Sequence, residues 1–256
     1  MQYARRRVVQ LVVLALLAVG VAIAAPAAAA ERDRLKISIA NVAGAAKPPV
    51  GVILDTQKPH IMVISEAYRA RAHLSEVADR YGYRLRQYGP DQGAEAPGIA
   101  LLIKNGVTIK DRSLLKMSEP WWWKSGKRDP RRYPVVVVGV NGKTWHVVGV
   151  HFPPGGPSGG VVVDYKNRAA WIESRKAVQA YAANHPNAPV VAAGDFNATA
   201  DECRSHFPGF LVAQGAKVDH ALAKKDRGAR FDDVIRHDAP NGMHGWITFK
   251  LSATPS

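Results

Sequence analysis

Short apolar runs rich in β-branched residues recur along this chain: Leu35–Ala40, Ile61–Ser65, Ile99–Lys104, Pro134–Val140, Trp145–Val150 and Val190–Ala193. None is long enough for a packed helix, and each reads as a buried strand. Four of them run into a polar residue: Asn41, Glu66 directly after Ser65, His151, and Asp195 after Gly194. Singly each has an ordinary explanation. Glu66 can cap a following helix, Asn41 can serve a turn, and His151 can be a satisfied half-buried histidine. Jointly, apolar strands that each deliver one polar group at the C-terminal end describe a cleft along the edges of a sheet.

The segments between the strands narrow the fold. Asn141-Gly142 separates two strand runs and is a hairpin signal, because both residues tolerate positive φ. Ala67–Tyr81 and Tyr165–Ala183 carry apolar residues at three- and four-residue spacing with charges opposite, and are predicted as helices. In the last strand Trp246, Thr248 and Lys250 alternate with Ile247, Phe249 and Leu251, which leaves one face buried. This is the pattern of an α/β fold with mixed sheets, in which two sheets could pack face to face with helices outside.

The first thirty residues stand apart. Arg5, Arg6 and Arg7 precede an almost wholly apolar stretch from Val8 to Ala25, and Ala28-Ala29-Ala30 leads into Glu31-Arg32-Asp33. Basic, apolar, then small is the order of a secretory signal peptide cleaved after Ala30, and the arginine pair permits twin-arginine export. An uncleaved anchor is the competing reading, since the run approaches a membrane span. Residues 31–256 then form one catalytic domain, expected to be a monomer. Cys203 is the only cysteine, which excludes an intrachain disulfide, a cysteine-rich zinc site and paired-thiol redox chemistry. The net charge of +14 loses only three arginines with the leader, and a balance that basic favours anionic partners such as nucleic acid or an acidic membrane surface.

Val190-Val-Ala-Ala-Gly-Asp195-Phe-Asn197 is the clearest motif. Positions i and i+2 of an extended chain share a face, so Asp195 and Asn197 can converge on one ligand. The carboxylate offers a hard oxygen or a proton acceptor, and the amide can donate to a phosphate oxygen. Taken with Asn41, Ser65-Glu66, Val148-Gly-Val-His151, Val218-Asp219-His220 and a late His244, the motif resembles the endonuclease/exonuclease/phosphatase superfamily, in that order and from about Leu35 to Leu251. The resemblance implies a four-layer αββα sandwich with the site at one edge of the two packed sheets. It further implies that Glu66, helped by Asn41 and with Asp195 nearby, holds Mg2+ or Mn2+. His244 would be a general base or phosphate contact oriented by Asp219. His151 would donate to the phosphoryl group or protonate the leaving oxygen, Asp195 would orient the attacking water, and Asn197 would hold the phosphate. One position departs from the family pattern: the acid usually placed before the late histidine is Met243, whose thioether suits a hard cation poorly. Asp238 is an acid that could substitute from the loop, and His237-Asp238 is a rival placement for the motif.

The segment Glu119–Tyr133 sets three consecutive tryptophans beside Lys124, Lys127, Arg128, Arg131 and Arg132. On nucleic acid the cations would meet phosphates while an indole, Trp122 being the candidate, stacked on a splayed base. On a membrane the same residues suit the headgroup interface, as in sphingomyelinases of the resembled superfamily. Packing of some of these indoles beneath the loop is the plain alternative. Arg132 precedes a strand where many relatives place a phosphate-facing arginine. Three functions therefore stand: an exported nuclease, a phospholipid phosphodiesterase, and a catalytically weak binding protein of the same fold.

Overall fold

A computed structural model describes residues 34–42, 50–67, 70–87, 98–119, 121–123, 126–128, 130–154, 156–157, 165–215, 218–225, 228–237 and 245–253. The leader, Asp238, Met243 and His244 lie outside the described residues. Among the described residues no helix is long and apolar enough to cross a membrane.

Two six-stranded sheets carry the structure. The first holds β13 (Arg230–His237), β14 (Trp246–Ser252), β1 (Arg34–Asn41), β2 (Ile61–Ser65), β4 (Ala100–Lys104) and β3 (Tyr83–Gln87), in that spatial order. The second holds β11 (Phe210–Gln214), β12 (Asp219–Lys224), β10 (Val190–Asp195), β9 (Lys143–His151), β8 (Arg132–Val140) and β5 (Thr108–Lys116). Each sheet is antiparallel apart from one parallel pair at its centre, β1 with β2 and β9 with β10. These are the strands that carry the polar ends noted above.

The sheets pack face to face, with Ile37, Ile39, Val63, Leu101, Ile247 and Phe249 of the first meeting Val147, Val191 and Ala193 of the second in one core. Helices α1 (Val50–Gln57) and α2 (Arg71–Tyr81) cover the outer face of the first sheet, where Ile53, Leu54, Leu74 and Val77 bury Met62, Ile64 and Leu102. Helices α3 (Tyr165–Ala183) and α4 (Ala200–His206) flank the second sheet, whose outer residues join Trp171, Cys203 and Phe207. The result is the expected αββα sandwich, a layering that buries both faces of the central strands. For that reason β10 is buried at all six positions.

Local chemistry explains the element ends. Asn141 and Gly142 sit at φ 51° and 81°, the two left-handed positions of a tight hairpin joining β8 to β9. Helix α4 starts at a capping box, in which the Thr199 hydroxyl accepts from the Glu202 amide and the Glu202 carboxylate accepts from the Thr199 amide. Helix α2 begins at Arg71, later than the apolar spacing from Ala67 implies. Glu66 turns left-handed after β2, and the helix starts only beyond its N-cap residue, Ala70.

Candidate active site

Strand parity decides which side chains meet. Along β9, a Cβ on Gly149 would touch Ile99 and Leu101 of the opposite sheet, so odd-numbered residues there face inward. His151 is on that face. Register then sets Asp195 of β10 beside His151, and Asp219 of β12 beside Asp195. Three ionisable groups on neighbouring strands thus form one inward row at the edge of the second sheet. On the first sheet β1 ends at Asn41, directly opposite Ser65 of β2, with Glu66 next.

The two edges join through an amide. Nδ2 of Asn41 lies 3.1 Å from Oε1 of Glu66 and 3.0 Å from Oδ2 of Asp195, donating to both. Nε2 of His151 is 3.9 Å from the same Asp195 oxygen. One ligand atom each from Glu66, His151 and Asp195 falls within 4.8 Å of the others. Asp195 is 1 % exposed, and its Oδ1 accepts from the Asn197 backbone amide at 2.7 Å.

The backbone is bent to achieve this. Glu66 and Asn197 both adopt positive φ, 56° and 46°. Such a conformation costs a non-glycine residue about 1–3 kcal/mol and persists only where the surroundings hold it. Gly194 lies at φ 142°, and a Cβ there would stand 2.0 Å from the Val150 carbonyl oxygen. Only glycine lets β10 approach β9 at this point. Phe196, between the two functional positions, points outward and is fully buried among Phe152, Phe207 and His220. The indole N–H of the buried Trp171 donates to the Phe196 carbonyl at 2.8 Å, tying α3 to the motif.

His220 supports the same turn from behind. Its Nδ1 accepts from the Gly215 amide at 3.1 Å, which leaves Nε2–H to donate to the Ala198 carbonyl at 3.0 Å. Burial holds its pKa down at about 4 from an ordinary 6.5, so the ring is neutral. Asn197 is anchored too, its amide donating to the Phe152 carbonyl at 2.8 Å.

Arg131 and Arg132 part company. Arg131 is buried, and both its guanidinium and the Tyr133 hydroxyl donate to the His151 carbonyl. Burial pushes the Tyr133 pKa up to about 12, so the hydroxyl remains a donor. Arg132 is exposed. It shares a strand face with Pro134, which packs toward Gly149, and so belongs to the inward side that carries His151. The sequence singles out Arg132 and gives Arg131 no role beyond the cations of the loop. The available signal was the i, i+2 spacing of Arg131, Tyr133 and Val135, which repeats the period of the strand that follows.

The other expected residues are placed as follows. Trp122 lies in β6 (Trp121–Trp123), which pairs with β7 (Gly126–Arg128) as a small hairpin, Trp122 opposite Lys127. Its side chain is outside the described residues. The hairpin springs from the same edge as the site, since the Met117 amide at its base donates to the Arg131 carbonyl at 2.8 Å. His237, the rival histidine, pairs with Trp246 and stacks on its ring at 3.6 Å between centroids. Trp246 packs with the core under α1 and α2, on the outer face of the first sheet. His237 therefore lies away from the inward row, whereas His244 falls outside the described residues.

The donor set fits a divalent cation of the magnesium or manganese kind. Two carboxylates converge with an amide and an imidazole, and hard cations take oxygen ligands. Like charges this close also favour a cation between them.

Comparisons with known proteins agree with the fold. The model of the Endonuclease/Exonuclease/phosphatase family matches residues 27–252. The chain is similar in structure to D. rerio TDP2 complexed with single strand DNA product, at 12% identity and TM-score 0.62, covering 86% of this chain and 99% of that one. It is similar to the human Nocturnin catalytic domain with bound sulfate anion, at 13% identity and TM-score 0.62, covering 87% and 96%. An endonuclease/exonuclease/phosphatase family protein from Bacteroides thetaiotaomicron gives 14% identity and TM-score 0.62, covering 85% and 97%. At such identities the likeness is one of fold. No curated protein is similar enough in sequence to count as a match.

Proposed function

Because the chain belongs to the endonuclease/exonuclease/phosphatase family and is by that membership a hydrolase of phosphodiesterase type, we propose that it is an exported, divalent-metal-dependent nuclease acting on DNA or RNA. The observation that carries the reading is the meeting of Glu66, His151 and Asp195 within 4.8 Å, braced by Asn41, at the open edge of both sheets.

In this reading Glu66 and Asp195 hold Mg2+ or Mn2+, and the Asn41 amide keeps their oxygens in place. The ion, when bound, polarises a phosphoryl oxygen and offsets the charge that develops on it. His151 donates a hydrogen bond to the phosphoryl group or a proton to the leaving oxygen, its backbone pinned by Arg131 and Tyr133. Asp195 orients the attacking water as well as the imidazole beside it. Asp219, on the same inward row, orients His244 as general base, and Arg132 and the second amide proton of Asn197 meet the phosphate. Export rests on the basic–apolar–small order of the leader.

A nucleic acid is favoured by the net charge, +14 − 3 = +11 once the leader is removed, and by the cationic sequence of the strand Gly126–Arg128. D. rerio TDP2 of the same fold has been solved with a single-strand DNA product. The tryptophan strand of that hairpin, Trp121–Trp123, supports a second reading, a phospholipid phosphodiesterase working at a membrane surface. Turnover of plasmid DNA, RNA and sphingomyelin vesicles, each with Mg2+, Mn2+ or EDTA, tests the two. The proposal expects cation-dependent cleavage of nucleic acid that falls steeply with added salt. Cleavage of the vesicles alone would replace it with the lipid reading.

A further inference from the structure

A second group of metal-ligating side chains sits further back along β9. His146 is five residues before His151, about 16 Å away along the strand, and has even parity. It faces outward, where α3 ends. There Nδ1 of His146 is 2.8 Å from the Tyr181 hydroxyl, and Nδ1 of His185 is 2.7 Å from the Tyr181 carbonyl oxygen. The two imidazoles approach to 4.6 Å between centroids, tilted by 52°, with the Tyr181 ring 4.2 Å from His185.

The hydrogen bond of His185 fixes its tautomer. A carbonyl only accepts, so His185 carries its proton on Nδ1 and presents the Nε2 lone pair. The Tyr181 hydroxyl can accept from Nδ1 of His146 in the same way. A histidine whose Nδ1–H is held by an oxygen while Nε2 is left for a ligand is the common arrangement of metal-binding imidazoles. The scaffold is also rigid. The His146 amide donates to the Pro189 carbonyl at 3.0 Å, and the Ala188 amide donates to the His185 carbonyl at 3.3 Å, closing the turn between α3 and β10. Asp111 lies in the same row across the sheet, opposite Val137, which is itself opposite His146. Its negative charge acts on both His146 and Tyr181.

We propose that His146 and His185 form a transition-metal site, distinct from the Glu66–His151–Asp195 cluster, that takes Zn2+ or a similar borderline cation and clamps the end of α3 to the second sheet. Nitrogen ligands select such ions, whereas the oxygen-rich cluster at the opposite edge suits Mg2+ or Mn2+. The site is partly exposed, so solvent completes the coordination and loading is reversible.

Zn2+ titrated calorimetrically into the full-length protein tests this, because zinc can enter either cluster and the variants separate them. The expected result is two ions per chain in the wild type, one in His185→Gln, one in Asp195→Asn and none in the double variant. Tyr181→Phe, which removes only the hydroxyl beside His146, should weaken the outer site by about tenfold. In imidazole 15N spectra of the wild type, Zn2+ should move His146 and His185 together. A His185→Gln protein that still binds two ions, or a wild type that binds only the ion lost in Asp195→Asn, would overturn the proposal. Unmoved His146 and His185 resonances would do the same.

Discussion

Asn41, at the end of β1, donates from Nδ2 to Oδ2 of Asp195, at the end of β10, across 3.0 Å. The bond spans the two sheets at the edge where the other functional groups collect, and the same nitrogen also reaches Glu66. It sets the relative height of the sheets where the proposed chemistry occurs. Replacing Asn41 with Ala should destabilise the metal-free protein by about 1–3 kcal/mol, the range for leaving buried acceptors without their donor. Denaturant melts with and without 10 mM-scale Mg2+ would check it, and part of the loss should be recovered with the cation present, on the order of 1 kcal/mol.

Glu66→Gln keeps the shape and removes one charge from the cluster. Hydrolysis should fall by roughly 10²–10³-fold at a fixed Mg2+ concentration, equivalent to several kcal/mol of lost charge stabilisation. The thermal midpoint in EDTA should stay level or rise, because two carboxylates no longer repel. A variant that keeps full activity while its melting point drops would place Glu66 in the structure only.

Gly194→Ala is expected to be severely damaging. The added methyl would meet the Val150 carbonyl at 2.0 Å from a backbone already at φ 142°. Neither neighbour can yield, since both lie in paired central strands. A cost above about 4 kcal/mol, or failure to recover folded protein, is predicted. Circular dichroism and denaturant melts read it directly.

Much of this arrangement was legible in the sequence, and the reason is geometric. Central parallel strands buried on both faces are almost continuous apolar runs, so Ile61–Ser65 and Val190–Asp195 stand out and their polar termini with them. Edge elements are harder. Strand β5, Thr-Ile-Lys-Asp-Arg-Ser-Leu-Leu-Lys, is largely exposed and reads as a loop, although it pairs along β8 to Arg132. Helices α1 and α4 are each too short for a helical period to declare itself. The face carried by Arg131 as against Arg132 depends on how β8 enters its sheet, which adjacent arginines in a sequence do not reveal. The His146–His185 pair was invisible for another reason: the two are brought together only when α3 folds back onto β9.

Acidity should weaken the fold within a definite window. Burial holds His220 at about 4, and burial with Lys104 and Lys36 nearby holds His60 at about 4, both from 6.5. Between those values the unfolded chain takes up protons that the folded chain refuses. Stability is therefore full above pH 6.5, declines as pH falls from 6.5 to 4, and gains no further loss from these groups below that. For His220, which is fully buried, the contribution is roughly 3 kcal/mol. His220→Gln, which can still donate to Ala198, should flatten the slope of denaturation free energy against pH. An unchanged slope would mean that His220 titrates alike in the folded and unfolded chains.

The central claim is that Asp195, shared by Asn41, His151 and the Asn197 amide, belongs to a cation-dependent phosphodiesterase centre. It is tested most directly by nicking of supercoiled plasmid DNA by the purified protein and by its Asp195→Asn variant, across a Mg2+ titration. The prediction is saturable, EDTA-sensitive nicking by the wild type and a loss of at least about 10²-fold in the variant, with both proteins folded by circular dichroism. Equal nicking by the two, or nicking that persists in EDTA, would contradict the account.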